Sequence, residues 1–422
     1  MAILIAIDFY AFRGIKTAFS FIQSTRTKQF INCGYWLINI ALILGIAYAF
    51  LTFDKHNGPD RKVFGLLGGL LILFLIPMLL IFVVMLLEDV YRGLFALALF
   101  FGRLFGAPTT EEVSYFVGRK QFLSQLALGV AAIPFLSILY GITKGKYNYK
   151  VHKVNLKFKD LPENFNGLTI TQISDAHVGS FDNADAVKRG VELANEQKSD
   201  LLFFTGDFVN NLSSEMDEWV DTFKQLKAPM GMYSILGNHD YGDYTEWNSP
   251  EEKKQNLDRL KNIHSELGFR LLLNENLKIE KNGQSITLVG IENWGSGGFT
   301  KYGDLNKAMT GVESDAFKIL LSHDPSHWDA QTIKHKEHIH LTLAGHTHGM
   351  QFGVEIAGIQ WSPVKYRYPR WAGLYEEEGT KDEGQGTRDS KYLYVNRGFG
   401  FIGFPGRVGI WPEVTVITLE KA

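Results

Sequence analysis

Apolar and polar positions divide the chain at about residue 145. Before that point apolar residues run without any period. Ile31–Phe53, Val63–Leu87 and Gln121–Thr143 carry no charged residue. Each is long enough to cross a hydrocarbon core, which takes roughly 20 residues. Two shorter apolar runs, near 2–12 and 93–107, are interrupted by Asp8 and Arg103 and predict helices lying in the membrane interface. From Val151 onward, short apolar runs alternate with polar, Gly-containing turns. They predict strands at Val151–Phe158, Gly167–Ile173, Leu201–Phe204, Gly231–Leu236, Ile286–Ile291, Phe317–Leu321, Leu341–Leu343, Tyr392–Val395 and Val414–Leu419. Helical spacing predicts helices at Ala184–Gln197, Glu215–Leu226 and Pro250–Leu267, the last with Pro in its first turn. Glu376–Ser390 is charged and Gly-containing and reads as an exposed loop. The expectation is an all-α transmembrane region over 1–145 followed by an α/β layered sandwich over 151–422.

The 422 residues carry a formal net charge of −2, so no global basic field points to nucleic acid. A single cysteine, Cys33, excludes an intramolecular disulfide and a Cys-based zinc site. Arg13, Lys16, Arg26 and Lys28 precede the first span with no acid between them, which puts that side in the cytoplasm. If the 93–107 run stays at the interface, the third span delivers the large domain outside; if it crosses, the domain is cytoplasmic. Lys144, Lys146 and Lys150 favour the second arrangement. The run Gly118-Arg119-Lys120-Gln121-Phe122-Leu123 before an apolar stretch, similar to a degenerate twin-arginine export signal, favours the first, as in a bacterial inner membrane. The balance falls on an extracytoplasmic domain.

Polar motifs stand where the predicted strands end, the place where α/β sheets hold their ligands. They are Ser174-Asp175-Ala176-His177, Gly206-Asp207, Gly237-Asn238-His239-Asp240, His323 and Gly345-His346-Thr347-His348. In an extended segment, residues i and i+2 point the same way, so Asp175 with His177, and His346 with His348, can face one cation. The donors are oxygen and imidazole without thiolate, a set that suits Mn, Fe or Zn. They are too many for one tetrahedral ion, and a shared carboxylate allows two.

That order of motifs resembles the calcineurin-like metallophosphoesterases, from about Leu168 to Leu419, and in local detail their membrane-linked bacterial branch. Gly345 to Gln351, Tyr375 after Gly373, Asn396-Arg397-Gly398 and Phe404-Pro405-Gly406-Arg407 carry the second likeness. The resemblance implies a four-layer αββα sandwich with a dinuclear centre of two divalent or trivalent ions, a hydroxide bridging them as nucleophile, and a phosphomono- or phosphodiester substrate. It implies that Asp175, His177 and His348 hold one ion, that Asn238, His323 and His346 hold the other, and that Asp207 bridges. His239 resembles the histidine that protonates the leaving oxygen. Members often carry an Asp where this chain has Asn210, and that side chain orients the histidine; Asp240 is a candidate to compensate. Met350 stands where the branch often has Gly.

Arg407, on a Gly/Pro loop, suits bidentate contact with a substrate phosphate. Trp361, Tyr366, Tyr368 and Trp371, with Lys365, Arg367 and Arg370, suit a substrate groove, a membrane surface or the core. The membrane anchor suggests an envelope or lipid-linked substrate. A membrane receptor or scaffold with a degenerate phosphoesterase domain is the alternative, and no residue pattern speaks to oligomeric state.

Overall fold

The computed structural model describes residues 2–52, 58–105, 113–356, 358–379, 381–382, 386–387 and 390–422. The chain forms two compact units, one of residues 1–54 and 59–142, the other holding 143–422.

The first unit is helical: α1 is Ala2–Ala18, α2 Thr25–Thr52, α3 Gly58–Leu104 and α4 Val113–Thr143. Among the described residues, three stretches are long and apolar enough to cross a membrane: Thr25–Ala49, Val63–Gly102 and Gly118–Thr143. The run expected as a separate interfacial helix at 93–107 continues α3 without a break to Leu104; residues 106 and 107 lie outside the described residues. Glu88, Asp89 and Arg92 do not end the helix because each finds a partner. Asp89 pairs with Arg92 at 2.7 Å and with Lys120 at 3.4 Å, and Glu88 pairs with Arg119 at 3.4 Å. The Arg119-Lys120 pair therefore has partners on α3. The run expected at 2–12 extends to Ala18 and belongs to a bundle. Ala11, Ile81, Met85, Ala127 and Ala131 form its buried core. A Cβ on Gly14 would sit 2.9 Å from Met85 Cγ, the close helix approach that small residues permit. Buried Asp8 accepts from the Tyr35 hydroxyl.

The second unit contains two six-stranded sheets. One runs in the order Lys150–Phe158, Glu413–Lys421, Leu168–Ile173, Leu201–Phe204, Met232–Ser234, Phe269–Leu271. The other runs Gly373–Glu377, Lys391–Val395, Leu341–Ala344, Lys318–Leu321, Gln284–Gly290, Glu275–Lys281. Central strands are apolar on both faces because both faces are covered. Leu201 and Phe203 join Ile319, Leu321, Leu341 and Leu343 in the core between the sheets. Leu202 and Phe204 face the other way, against the helices Ala184–Glu196 and Pro250–Glu266. Val289 and Leu320 meet Leu305 and Ala308 of a one-turn helix on the outside of the second sheet. This is an αββα arrangement with one thin outer layer.

The helix expected over Glu215–Leu226 is instead a 3₁₀ turn, Ser213–Met216, and a single α turn, Val220–Phe223. The Glu215 carboxylate folds back onto the N–H groups of Asn210, Asn211 and Leu212 and holds the first turn apart from the second. Phe269–Leu271, Glu275–Lys281 and Gly373–Glu377 are strands that the pattern did not predict. The loop expected over Glu376–Ser390 lies partly outside the described residues; Glu376 and Glu377 end a strand, and Lys381–Asp382 pairs with Gly386–Thr387.

Candidate metal centre

Five loops that follow strands of the two sheets meet at one place. Parallel strands Leu168–Ile173, Leu201–Phe204 and Met232–Ser234 deliver Asp175, Asp207 and Asn238–Asp240 from the first sheet. Lys318–Leu321 and Leu341–Ala344, also parallel, deliver His323 and His346–His348 from the second. The i, i+2 pairs do not face the site through extended backbone, as the sequence suggested. Asp175, His177, Asp207, His346 and His348 all lie in the left-handed region, with φ of 53°, 46°, 63°, 73° and 51°. A non-glycine residue there costs roughly 1–2 kcal/mol. Such strain persists where surrounding bonds over-determine the backbone. Here Asp175 N donates to Gly206 O at 2.9 Å, His346 N donates to Asp175 Oδ1 at 2.9 Å, and His239 N donates to Asp207 Oδ1 at 2.8 Å. Two glycines are required by close approach. A Cβ on Gly237 would lie 2.2 Å from Asp207 Oδ1, and one on Gly345 would lie 2.1 Å from Asp175 Oδ2.

The side chains form two groups whose ligand-type atoms lie within 4.8 Å of one another: Asp175, His177 and His348; and Asp207, His323 and His346. Asp207 stands between them. Its Oδ2 is 3.5 Å from His177 Nε2 and 3.1 Å from His323 Nε2. His323 Nδ1 donates to the Thr205 carbonyl at 2.7 Å, which turns Nε2 into the site. Asn238 joins the second group. Its Nδ2 donates to the Tyr244 hydroxyl at 2.9 Å, so Oδ1 faces His323 Nε2 at 3.2 Å and His346 Nδ1 at 2.8 Å.

Burial keeps most of these imidazoles neutral and ready to ligate. It pushes His177 down to about 3 and lowers His346; it drives His348 well below its ordinary value, helped by His177 and Arg407. Burial opposes charge on His323 too, but the Asp207 carboxylate holds it up to about 10. Burial would raise Asp207, yet the imidazoles of His323 and His239 keep it well below the carboxylate range. Burial, then the neighbouring Asp207 against the pull of His323, lifts Asp175 to about 6. The set fits metal ions. Nε2 of His177 and Nε2 of His348 are buried without a hydrogen-bond partner, an expensive condition that a cation at these atoms relieves.

Three residues expected to act in catalysis or on substrate are placed otherwise. Asn210 orients His239 through its main chain: His239 Nδ1 and the Asn210 carbonyl are 2.8 Å apart, while the Asn210 amide bonds Ser180. Asp240 is fully buried. Its Oδ2 accepts from the N–H groups of Asp207 and Gly237, both at 2.8 Å, and its Oδ1 accepts from that of Phe208 at 2.9 Å. It clamps two ligand loops together and does not reach the site's interior. Arg407 does not face solvent. Its guanidinium is fully buried and donates to the carbonyls of Arg397 at 2.8 Å, Gly398 at 3.2 Å and Gly400 at 2.8 Å, beside His348 Nδ1 at 3.2 Å. Burial lowers its pKa to about 10. The sequence suggested contact with a substrate phosphate, but the carbonyls of the Arg397–Gly400 segment converge on this side chain.

His239 sits at the rim, edge-on to His177 and tilted against Tyr244. Two more residues border the site: Tyr368, one of the aromatic residues read as suiting a substrate groove, and Asp324, which the sequence reading missed. The Tyr368 hydroxyl is 2.8 Å from His346 Nε2, and Asp324 Oδ2 is 3.6 Å from the same nitrogen. The only sequence signal for Asp324 was its position after His323.

Comparison with known proteins bears on this geometry. Residues 168–350 match the family model for the calcineurin-like phosphoesterase, and residues 1–146 match that for a probable calcineurin-like phosphoesterase transmembrane domain. A transmembrane protein with metallophosphoesterase domain from Danio rerio is 27% identical over 78% of this chain and 72% of its own length. The uncharacterized metallophosphoesterase YkuE of Bacillus subtilis is 28% identical over 72% of this chain and 98% of its own length. A UDP-2,3-diacylglucosamine pyrophosphatase of Chlamydia trachomatis is 28% identical over 57% of this chain and 81% of its own length. With its apolar helices, its two sheets and its paired groups of metal-ligand type, the chain belongs to the calcineurin-like metallophosphoesterases and is a membrane-associated member of that family of ester-cleaving hydrolases.

Proposed function

We propose that the protein hydrolyses phosphomono- or phosphodiesters at a dinuclear centre. Asp175, His177 and His348 would hold one ion and Asn238, His323 and His346 the other, with Asp207 shared. The observation that carries this is the Asp207 carboxylate, buried between two groups of ligand-type side chains. Divalent or trivalent Mn, Fe or Zn suits the donors. When bound, such ions activate water and neutralise charge on the phosphoryl oxygens.

The remaining chemistry belongs to the chain's own residues. His239 Nδ1 is tied as donor to the Asn210 carbonyl, which leaves Nε2 to face the leaving oxygen; from the doubly protonated ring, Nε2 gives its proton to that oxygen and the ring becomes neutral. Asp240 keeps the Asp207 and Gly237 loops in register, and Arg407 fixes the loop behind His348.

The substrate reading is a lipid-linked or envelope phosphoester. The membrane helices support it, as does a relative whose name gives a diacylglucosamine derivative as substrate. We place the domain outside a bacterial inner membrane. Unbroken α3 supports this, because it leaves the 93–104 stretch no chance to cross back as a separate span. Whether or not α1 crosses, the basic loop before α2 stays cytoplasmic and α4 then leads outward. A reporter fused after Thr143 that is active only in the cytoplasm overturns this orientation.

The test of activity uses full-length protein in detergent with Mn and bis(p-nitrophenyl) phosphate. Asp207→Asn and His346→Ala should each reduce turnover by more than the roughly 10–100-fold that follows loss of a residue merely supporting a ligand. Unchanged turnover in both variants rules out the two-metal assignment.

A further inference from the structure

The antiparallel hairpin Val354–Ile356 and Ile359–Trp361 follows directly on the His346–His348 loop. Its register pairs Val354 with Trp361 and Ile356 with Ile359, so all four side chains share one face. That face is open: Val354 is 41% exposed, Ile356 70%, Ile359 65% and Trp361 36%. Met350 just before the hairpin and Tyr366 just after it are also exposed. The opposite face carries Glu355 and Gln360, and it is locked down. Glu355 accepts from Arg397 at 2.7 to 3.1 Å, and Arg397 also pairs with the fully buried Glu413 at 2.7 Å. The base is held as well. Gly353 N donates to Val408 O at 2.9 Å, and Ser362 Oγ donates to Gly349 O at 2.7 Å. The apolar face is thus held outward by a buried ion network. The aromatic stretch read from the sequence divides accordingly: Trp371 is buried in the core, Tyr368 lines the metal site, and Trp361 and Tyr366 are exposed.

We propose that this hairpin is a docking surface for a lipid bilayer bearing anionic phospholipid. Contiguous exposed apolar patches mark interaction sites, and a face with isoleucine at its tip and Trp and Tyr at its flanks has the composition of an interfacial contact. Charge selects the bilayer over another partner. Between Ile356 and Arg370 the chain has no acidic residue and three cations, Lys365, Arg367 and Arg370. Lys365 and Arg367 are exposed, suited to phosphate headgroups at the depth of the aromatic side chains. Candidate membrane spans end at Thr143, so the domain is tethered at a membrane and weak hairpin contact suffices. Docking there sets the metal-ligand loop, two residues from Met350, at headgroup level.

The experiment uses full-length Cys33→Ser protein carrying one spin-labelled cysteine, Ile359→Cys or, as control, the exposed helix position Gln255→Cys. Each is reconstituted in nanodiscs of phosphatidylethanolamine and phosphatidylglycerol. Power saturation should show the label at 359 colliding with oxygen more than with a water-soluble nickel chelate, and the label at 255 showing the reverse. Turnover of bis(p-nitrophenyl) phosphate by the labelled proteins checks folding and tests the phosphoesterase reading separately. Equal nickel access at both positions overturns the proposal. So does dipolar coupling between labels at 359, which would show a second copy of the chain covering the hairpin.

Discussion

Arg407→Met separates two roles for one residue. The guanidinium donates to the carbonyls of Arg397, Gly398 and Gly400 within a fully buried pocket. A bond from a charged donor contributes about 1.5–3 kcal/mol net, so three give roughly 4–9 kcal/mol. Burying the cation works the other way. Its pKa falls from the ordinary arginine range to about 10, which at 1.36 kcal/mol per unit corresponds to about 3 kcal/mol. Methionine recovers some packing but leaves three carbonyls unsatisfied, so a net loss of about 2–4 kcal/mol is expected. At roughly 2–4 °C per kcal/mol, Tm should fall by about 5–15 °C. The assay is thermal unfolding of full-length protein in detergent with Mn, followed by intrinsic fluorescence, beside KM for an aryl phosphodiester below the melting range. The expected result is a large drop in Tm with little change in KM. An unchanged Tm with a several-fold higher KM would mean that Arg407 meets the substrate, as its sequence context suggested.

Other outcomes follow from the same geometry. Burial pushes His264 down to about 3 from 6.5, so the unfolded chain binds a proton that the folded chain refuses as pH falls below 6.5. At pH 5 that difference costs about 2 kcal/mol, and His264→Leu, which keeps the packing against Phe208, should show a shallower fall of Tm between pH 6.5 and 5; parallel curves refute this. Gly237→Ala drives a methyl against Asp207 Oδ1 and should strip metal measured by mass spectrometry, whereas full retention would show that the loop yields. His239→Gln should retain metal while turnover of poor leaving groups drops by about 10²–10⁴-fold, and an equal loss for good and poor leaving groups argues against proton donation.

The sequence made the inner strands legible because both their faces are buried. Leu201–Phe204 and Leu341–Ala344 are uniformly apolar or nearly so, and no other element suits such short runs. Glu275–Lys281 was missed because it is an edge strand of mostly polar residues in which Ile279 alone is buried. The Glu215–Leu226 stretch kept helical spacing but not a helix, since the Glu215 side chain takes backbone N–H groups ahead of its own turn. At the site, residue types pointed to metal chemistry. Backbone conformation did not follow from them: five left-handed residues arise from loop–loop hydrogen bonds between segments up to 171 positions apart. The same holds for Arg407 and Asn210, whose partners are main-chain carbonyls or a neighbouring serine that sequence gives no means to locate.

On the proposal above, Asp207 joins two ligand groups into one dinuclear centre. Anomalous diffraction from full-length protein crystallised with Mn, collected on either side of the metal edge, tests it most directly. Two peaks roughly 3.5–4 Å apart, one beside Asp175, His177 and His348 and the other beside Asn238, His323 and His346, with the Asp207 carboxylate between them, are the expected result. A single peak, or two peaks that Asp207 does not link, would rule out a dinuclear centre bridged by Asp207.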